Sequence, residues 1–159
     1  MSAEQPGKLV SITIASESGA PLTRLQETVL VAGKGIPGDR CYDEQGADPD
    51  KQITLIDEEK VAEFNRETGL DVVAWQTRRN LVTRGVDLNA LLGKQFMVGE
   101  TLLEGVDLCQ PCATLGGLFA TEQVPSAKVV KTMVDRGGLR ATIVHGGTIR
   151  PGDRISGKE

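Results

Sequence analysis

Apolar and polar positions alternate from Lys8 to Ala15, with Val10, Ile12 and Ile14 on one face, which predicts a strand. Thr28 to Ala32 is a second short apolar run. It leads into Gly33-Lys34-Gly35-Ile36-Pro37-Gly38-Asp39-Arg40, whose glycines and proline predict a loop. Asp43 to Lys51 is polar and predicts exposed chain, and Gln52 to Ile56 is strand-like again. Asp57 stands where a helix N-cap belongs, Glu58 and Glu59 suit a first turn, Val61 and Phe64 share a helical face, and Gly69 is a stop. Trp75 and Asn80 to Thr83 fall in a further extended region. Phe96 and Val98, then Leu102, Val106 and Leu108, predict short strands broken at Gly99 and Gly105. Ser126 is placed to cap a second helix with the stripe Val129, Val130, Met133 and Val134, ended by Gly137-Gly138. Leu139 to His145 alternates, Gly146-Gly147 and Pro151-Gly152 read as turns, and Arg154-Ile155 closes a last strand.

Many short strands separated by glycine predict a mainly β, β-rich α+β fold, a barrel-like sheet with two short flanking helices. The elements form no strict βαβ series, so a Rossmann fold is not expected. No repeat and no linker interrupts the chain, so residues 1–159 are expected to form a single domain.

Composition narrows the function classes. A 159-residue chain is long enough for a self-supporting core, and with aromatics at 3% that core must rest on Val, Leu and Ile. A net charge of −4 makes a poor general nucleic-acid binder, because phosphate contacts need clustered Lys and Arg. No apolar run is long enough to span a bilayer, so no membrane partner is expected. The polar start Met1–Gly7 lacks the apolar core of a signal peptide, and three cysteines are an odd count for a secreted disulfide framework. The expected location is cytoplasmic, with thiols mostly reduced.

Candidate chemistry centres on Cys109-Gln110-Pro111-Cys112. A thiolate ligates soft metals and carries sulfur, and Pro111 sets an extended approach to Cys112. The plainer reading of Cys112 is a buried small hydrophobe. Cys109 either resolves Cys112 as a disulfide partner or packs in the core after Leu108. Without a βαβ context the pair is not a thioredoxin motif. Thr114 is placed to donate to the Cys112 sulfur. Zinc is the rival metal: Cys41, Cys109, Cys112 and His145 have the right chemistry for a structural site but the wrong spacing. His145, the single histidine, is either an end-of-strand residue or an accessory beside the thiol. No G-x-S-x-G elbow supplies a serine for a hydrolase triad. The Gly33–Arg40 glycines allow backbone N–H groups to approach an anion, or Asp39 and Arg40 pair to hold the turn.

Three segments in order carry a resemblance: Gly35-Ile36-Pro37-Gly38-Asp39-Arg40; Arg78-Arg79-Asn80-Leu81-Val82-Thr83-Arg84-Gly85 with Leu88 to Phe96 and Gly99; and Leu108-Cys109-Gln110-Pro111-Cys112 with Gly147-Thr148-Ile149-Arg150-Pro151-Gly152-Asp153. In that order they resemble the MOSC domain, named for the C-terminal part of molybdenum cofactor sulfurase, over roughly residues 8 to 156. The resemblance implies a MOSC-like β-barrel of the stand-alone bacterial type. It implies Cys112 as the key residue, used in sulfur transfer or as a ligand to molybdenum in the cofactor. Larger relatives add an N-terminal β-barrel or a pyridoxal-phosphate desulfurase domain. Lacking these, the chain is expected not to make its own persulfide.

Arg78, Arg79 and Asn80, with Gly38, Asp39, Arg40 and Thr114, would then hold an anionic cofactor, molybdopterin carrying a phosphate that suits guanidinium forks. The rival reading of Arg78 to Asn80 is a solvated strand edge. If the three alternate on a strand, Arg78 and Asn80 share a face and Arg79 points away. The implied activity is oxidoreductase chemistry on small molecules such as N-hydroxylated compounds. The alternative is a non-catalytic persulfide carrier docking to a cysteine desulfurase or a molybdoenzyme.

Overall fold

The computed structural model describes residues 7–17, 19–110 and 113–157, and only the backbone of 113–115. In chain order the elements are β1 (Gly7–Ile14), β2 (Thr23–Leu25), β3 (Thr28–Leu30), β4 (Ile53–Asp57), α1 (Glu58–Thr68), β5 (Leu81–Arg84), β6 (Gln95–Val98), β7 (Thr101–Leu108), α2 (Ala113–Phe119), α3 (Ser126–Met133), β8 (Leu139–His145), β9 (Gly147–Ile149) and β10 (Arg154–Gly157). Strands pair in the order β10-β6-β7-β8-β4-β5-β1, with β2 on the outer side of β1, and β10 also pairs with β1. That last pairing, Gly7 with Ile155 and Lys8 with Arg154, closes the sheet into a seven-stranded barrel and leaves those strands no open edge. β3 and β9 form a separate two-stranded ribbon. The expected mainly β barrel is therefore the fold.

Leu9, Ile12, Leu55, Leu81, Phe96, Leu103, Leu139, Ile143 and Ile155 are buried together in its interior. A second cluster, Ile56, Val61, Ala74 and Val82, packs α1 against the outer face of β4 and β5. A third, Phe64, Val129 and Met133, joins α1 to α3.

Several local expectations are corrected. A bulge between Leu9 and Ser11 shifts the β1 register, so Leu9 and Ile12 face the main core while Val10 packs with the outer cluster. Trp75 lies in a 3-10 turn, Ala74–Thr77, with Arg24 over its ring at 5.2 Å. Gly105 does not break a strand: β7 runs through it with a register shift, and a Cβ there would strike the Leu91 carbonyl. Asp57 is the N-cap residue of α1 but makes no capping bond, and Pro125 rather than Ser126 precedes α3. Gly147 opens β9 rather than a turn. The short strand β2 and a third helix, α2, were not anticipated. Among the described residues no helix is long and apolar enough to cross a membrane.

Candidate functional site

β7 and β8 run antiparallel, with Asp107 opposite Arg140 and Leu108 opposite Leu139. Thr54 of β4 lies opposite Arg140 on the other side, and the backbone N–H of Thr13 donates to the Asn80 carbonyl at 2.7 Å. Thr13, Asn80, Thr54, Arg140 and Asp107 thus lie across four strands and the residue that leads into β5. Cys109 continues β7 one step past Leu108, where its N–H donates to the Gly138 carbonyl at 2.8 Å.

Cys109 is 1% exposed. Burial pushes its thiol above the usual range, while the guanidiniums of Arg79 and Arg140, the latter by a hydrogen bond, pull the other way without winning. At neutral pH Cys109 is a neutral thiol. Arg79 reaches this position because its Nε donates to the Gly137 carbonyl at 2.8 Å, and Gly137 abuts Cys109: a Cβ on it would collide with the Cys109 carbonyl.

The three neighbours Arg78, Arg79 and Asn80 do not alternate on a strand, because β5 starts only at Leu81. Arg78 is left-handed, at φ 67°, and its Nη2 donates to the Ala20 carbonyl at 2.6 Å. Asn80 is buried: its Oδ1 accepts from the Thr54 N–H at 3.0 Å and the Thr54 hydroxyl at 3.2 Å, and its Nδ2 donates to the Thr13 carbonyl at 3.1 Å. Arg79, expected to point away, is the member that faces the cysteine segment. Asn80 spends its amide on tying β1 to β4.

In the Gly38–Arg40 loop, Gly38 has φ 89°, and the Asp39 carboxylate accepts from the N–H groups of Ala15 at 3.1 Å and Cys41 at 3.3 Å. The loop is held by backbone donors, and the Arg40 N–H adds a bond to the Ala15 carbonyl at 2.7 Å. An Asp39–Arg40 ion pair is not among those of the described residues. This attachment brings the loop to the end of β1, two residues from Thr13.

His145 is exposed at the far end of β8, about 20 Å along the strand from Leu139 at ~3.3 Å per residue. It is not beside Cys109. Among the described residues no three His, Cys, Asp or Glu side chains converge to hold a metal ion, so Cys41, Cys109 and His145 do not gather as zinc would require. Cys112 and the Thr114 side chain lie outside the described residues.

Sequence reasoning missed Arg140 and Gln52. The signal for Arg140 was a charged residue inside the alternating run Leu139 to His145. Gln52 is buried, accepts from the Ile143 N–H at 2.8 Å and donates to the Ala47 carbonyl at 3.1 Å, so it pins the loop before β4 to β8. Two surface clefts, of about 600 and 830 Å³, lie elsewhere, one against Trp75 and α1 and one between α1 and α3. Neither includes Cys109, Arg79 or Arg140. Guanidiniums near the head of the Cys-x-x-Cys segment are donors that suit an anionic group.

A model of the MOSC domain matches residues 17–156. No curated protein matches the sequence. Among solved structures, the YuaD protein from Bacillus subtilis superposes with a TM-score of 0.82 at 17% identity, covering 95% of this chain and 94% of that one. YiiM from Geobacillus stearothermophilus gives a TM-score of 0.71 at 19% identity over 97% of this chain and 76% of its own. YiiM from Escherichia coli gives 0.66 at 17% identity over 96% and 70%. These likenesses establish a shared fold.

Proposed function

The chain belongs to the MOSC domain family, and from that premise we propose that it binds a molybdenum cofactor through the thiolate of Cys112. The single observation that supports this reading most is the guanidinium pair, Arg79 and Arg140, acting on Cys109 at the start of the Cys-x-x-Cys segment. Arg79 keeps N–H donors beyond the one given to Gly137, and these suit a phosphate. The Gly38–Arg40 loop contributes Arg40, whose side chain is exposed, as a second anion contact. When bound, the cofactor supplies two-electron redox chemistry at its metal. The chain's part is orientation and charge complementarity: a thiolate ligand at Cys112, and cationic groups that fix the anionic end. The substrate class in this reading is small N-hydroxylated compounds.

The test is metal analysis with intact mass on protein purified anaerobically from its native host. Near-stoichiometric molybdenum, lost in Cys112→Ser, is the expected result. A molybdenum-loaded, active Cys112→Ser protein would sink the assignment. No molybdenum but a sulfur-sized mass increment on Cys112 would replace it with a persulfide carrier served by a cysteine desulfurase.

A further inference from the structure

The residues that follow α3 form a collar around the start of the cysteine segment. Gln110, the residue after Cys109, is held from both ends of its amide by one partner. Its Nε2 donates to Asp135 Oδ1 at 3.1 Å, and its Oε1 accepts the Asp135 backbone N–H at 3.4 Å. Asp135 is itself fixed. It is left-handed, at φ 61°, a conformation that Asp and Asn tolerate better than other residues with a Cβ. Its carbonyl accepts the Asn89 Nδ2 at 2.9 Å. The next residue, Arg136, pairs with Glu63 at 3.3 Å and with Glu67, both on α1. Then Gly137 abuts the Cys109 carbonyl, and Gly138 accepts the Cys109 N–H. Asp135, Gly137 and Gly138 therefore touch the Cys109–Gln110 step, and Arg136 ties the same stretch to α1.

We infer that Asp135 is a positioning residue for the thiol segment. It acts through Gln110 to fix the step at which the chain leaves Cys109. The inference rests on the reading of Cys112 as the reacting thiol. It differs in kind from a general stabilising role, because the two hydrogen bonds are exposed and lie outside the barrel core. Losing them releases Gln110 while the barrel, closed elsewhere, stays folded. A ligand that Cys112 holds is then bound by a less preorganised chain.

The test uses the full chain and four variants. Asp135→Gly keeps the left-handed backbone and removes the side-chain acceptor; Asp135→Asn keeps both. Gln110→Ala removes that hydrogen bond from the other side, together with the one from the Asp135 backbone N–H, in case Asp135→Gly fails to fold. Cys112→Ser reports on the underlying reading. Two quantities are read: the rate of iodoacetamide labelling at Cys109, mapped by peptide mass, and the molybdenum retained per chain after anaerobic purification.

Asp135→Gly and Gln110→Ala are expected to label Cys109 about fivefold faster, the factor that corresponds to one hydrogen bond of about 1 kcal/mol. They are expected to retain less molybdenum at an unchanged melting temperature, and Asp135→Asn is expected to restore both. Labelling and retention at the parent level in Asp135→Gly and Gln110→Ala would overturn the inference. So would an Asp135→Asn protein as impaired as Asp135→Gly, since the acceptor would then not be what matters. If Cys112→Ser retains molybdenum like the parent, the Cys112 reading fails, and the Cys109 labelling rates still judge the clamp by themselves.

Discussion

Asp57 occupies a cap position, yet its carboxylate caps nothing. It is 2% exposed; Oδ2 accepts from Lys60 at 3.2 Å, and Oδ1 has no partner. Burial raises its carboxyl above the ordinary 3.8, and Lys60 opposes this without prevailing. The folded chain therefore holds this proton more tightly than the unfolded chain. The stability Asp57 contributes is full below pH 3.8 and is lost as pH rises through its raised folded value. At neutral pH the buried charge is a net cost. Asp57→Asn is expected to stabilise the protein by about 1 kcal/mol at neutral pH, because Lys60 keeps Asp87 at 3.5 Å as a partner. Urea unfolding checks this, and the gain should vanish at about pH 3, below both proton affinities. A variant less stable than the parent at neutral pH would contradict the account. Asn80 teaches a related lesson. The sequence singles it out as a ligand contact, but its side-chain partners sit 67 and 26 residues away on β1 and β4, and no local pattern could have named them.

Among the elements, Gly105, Gly137, Gly138 and Gly146 each stand where an added Cβ would fall within 2.3 Å of a backbone oxygen. The run Gly137-Gly138 reads as a helix stop, and α3 ends four residues before it, at Met133. Its larger role is to let the chain entering β8 lie against its neighbours. Gly138 has φ 100°, and a Cβ there would collide with the Leu55 carbonyl of β4. A side chain would meet both a disfavoured conformation and backbone that cannot move aside. Gly138→Ala is expected to cost about 3 kcal/mol, read as a fall in the urea midpoint at unchanged slope. A loss below about 1 kcal/mol would show that β4 and β8 can separate there. The bulge in β1 works at the same scale. One extra residue turns Val10 outward and Ile12 inward, a change of face that an alternating sequence does not reveal.

For the molecule as a whole, closure depends on its last strand. β10 pairs with β6 through three residues and with β1 through two, joining chain positions 7 and 155. Ile155 is 1% exposed in the central core. Ile155→Ala is expected to cost about 3 kcal/mol by leaving a cavity at the seam. Calorimetry should still show one cooperative transition; an early separate transition would mean that the seam opens independently of the barrel. The sequence by itself determined the strand-rich class, most of the strands, the two longer helices and, through the order of its motifs, the family. Period, glycine and short motifs are local properties, and they survive without a partner. Only the tertiary structure decided that Arg79 and the unremarked Arg140 meet Cys109, that Asn80 is consumed by the fold, and that Asp135 grips Gln110. Those outcomes depend on strand register and on hydrogen bonds between residues 25 to 67 positions apart. The chain fixes such neighbours only when the sheet closes.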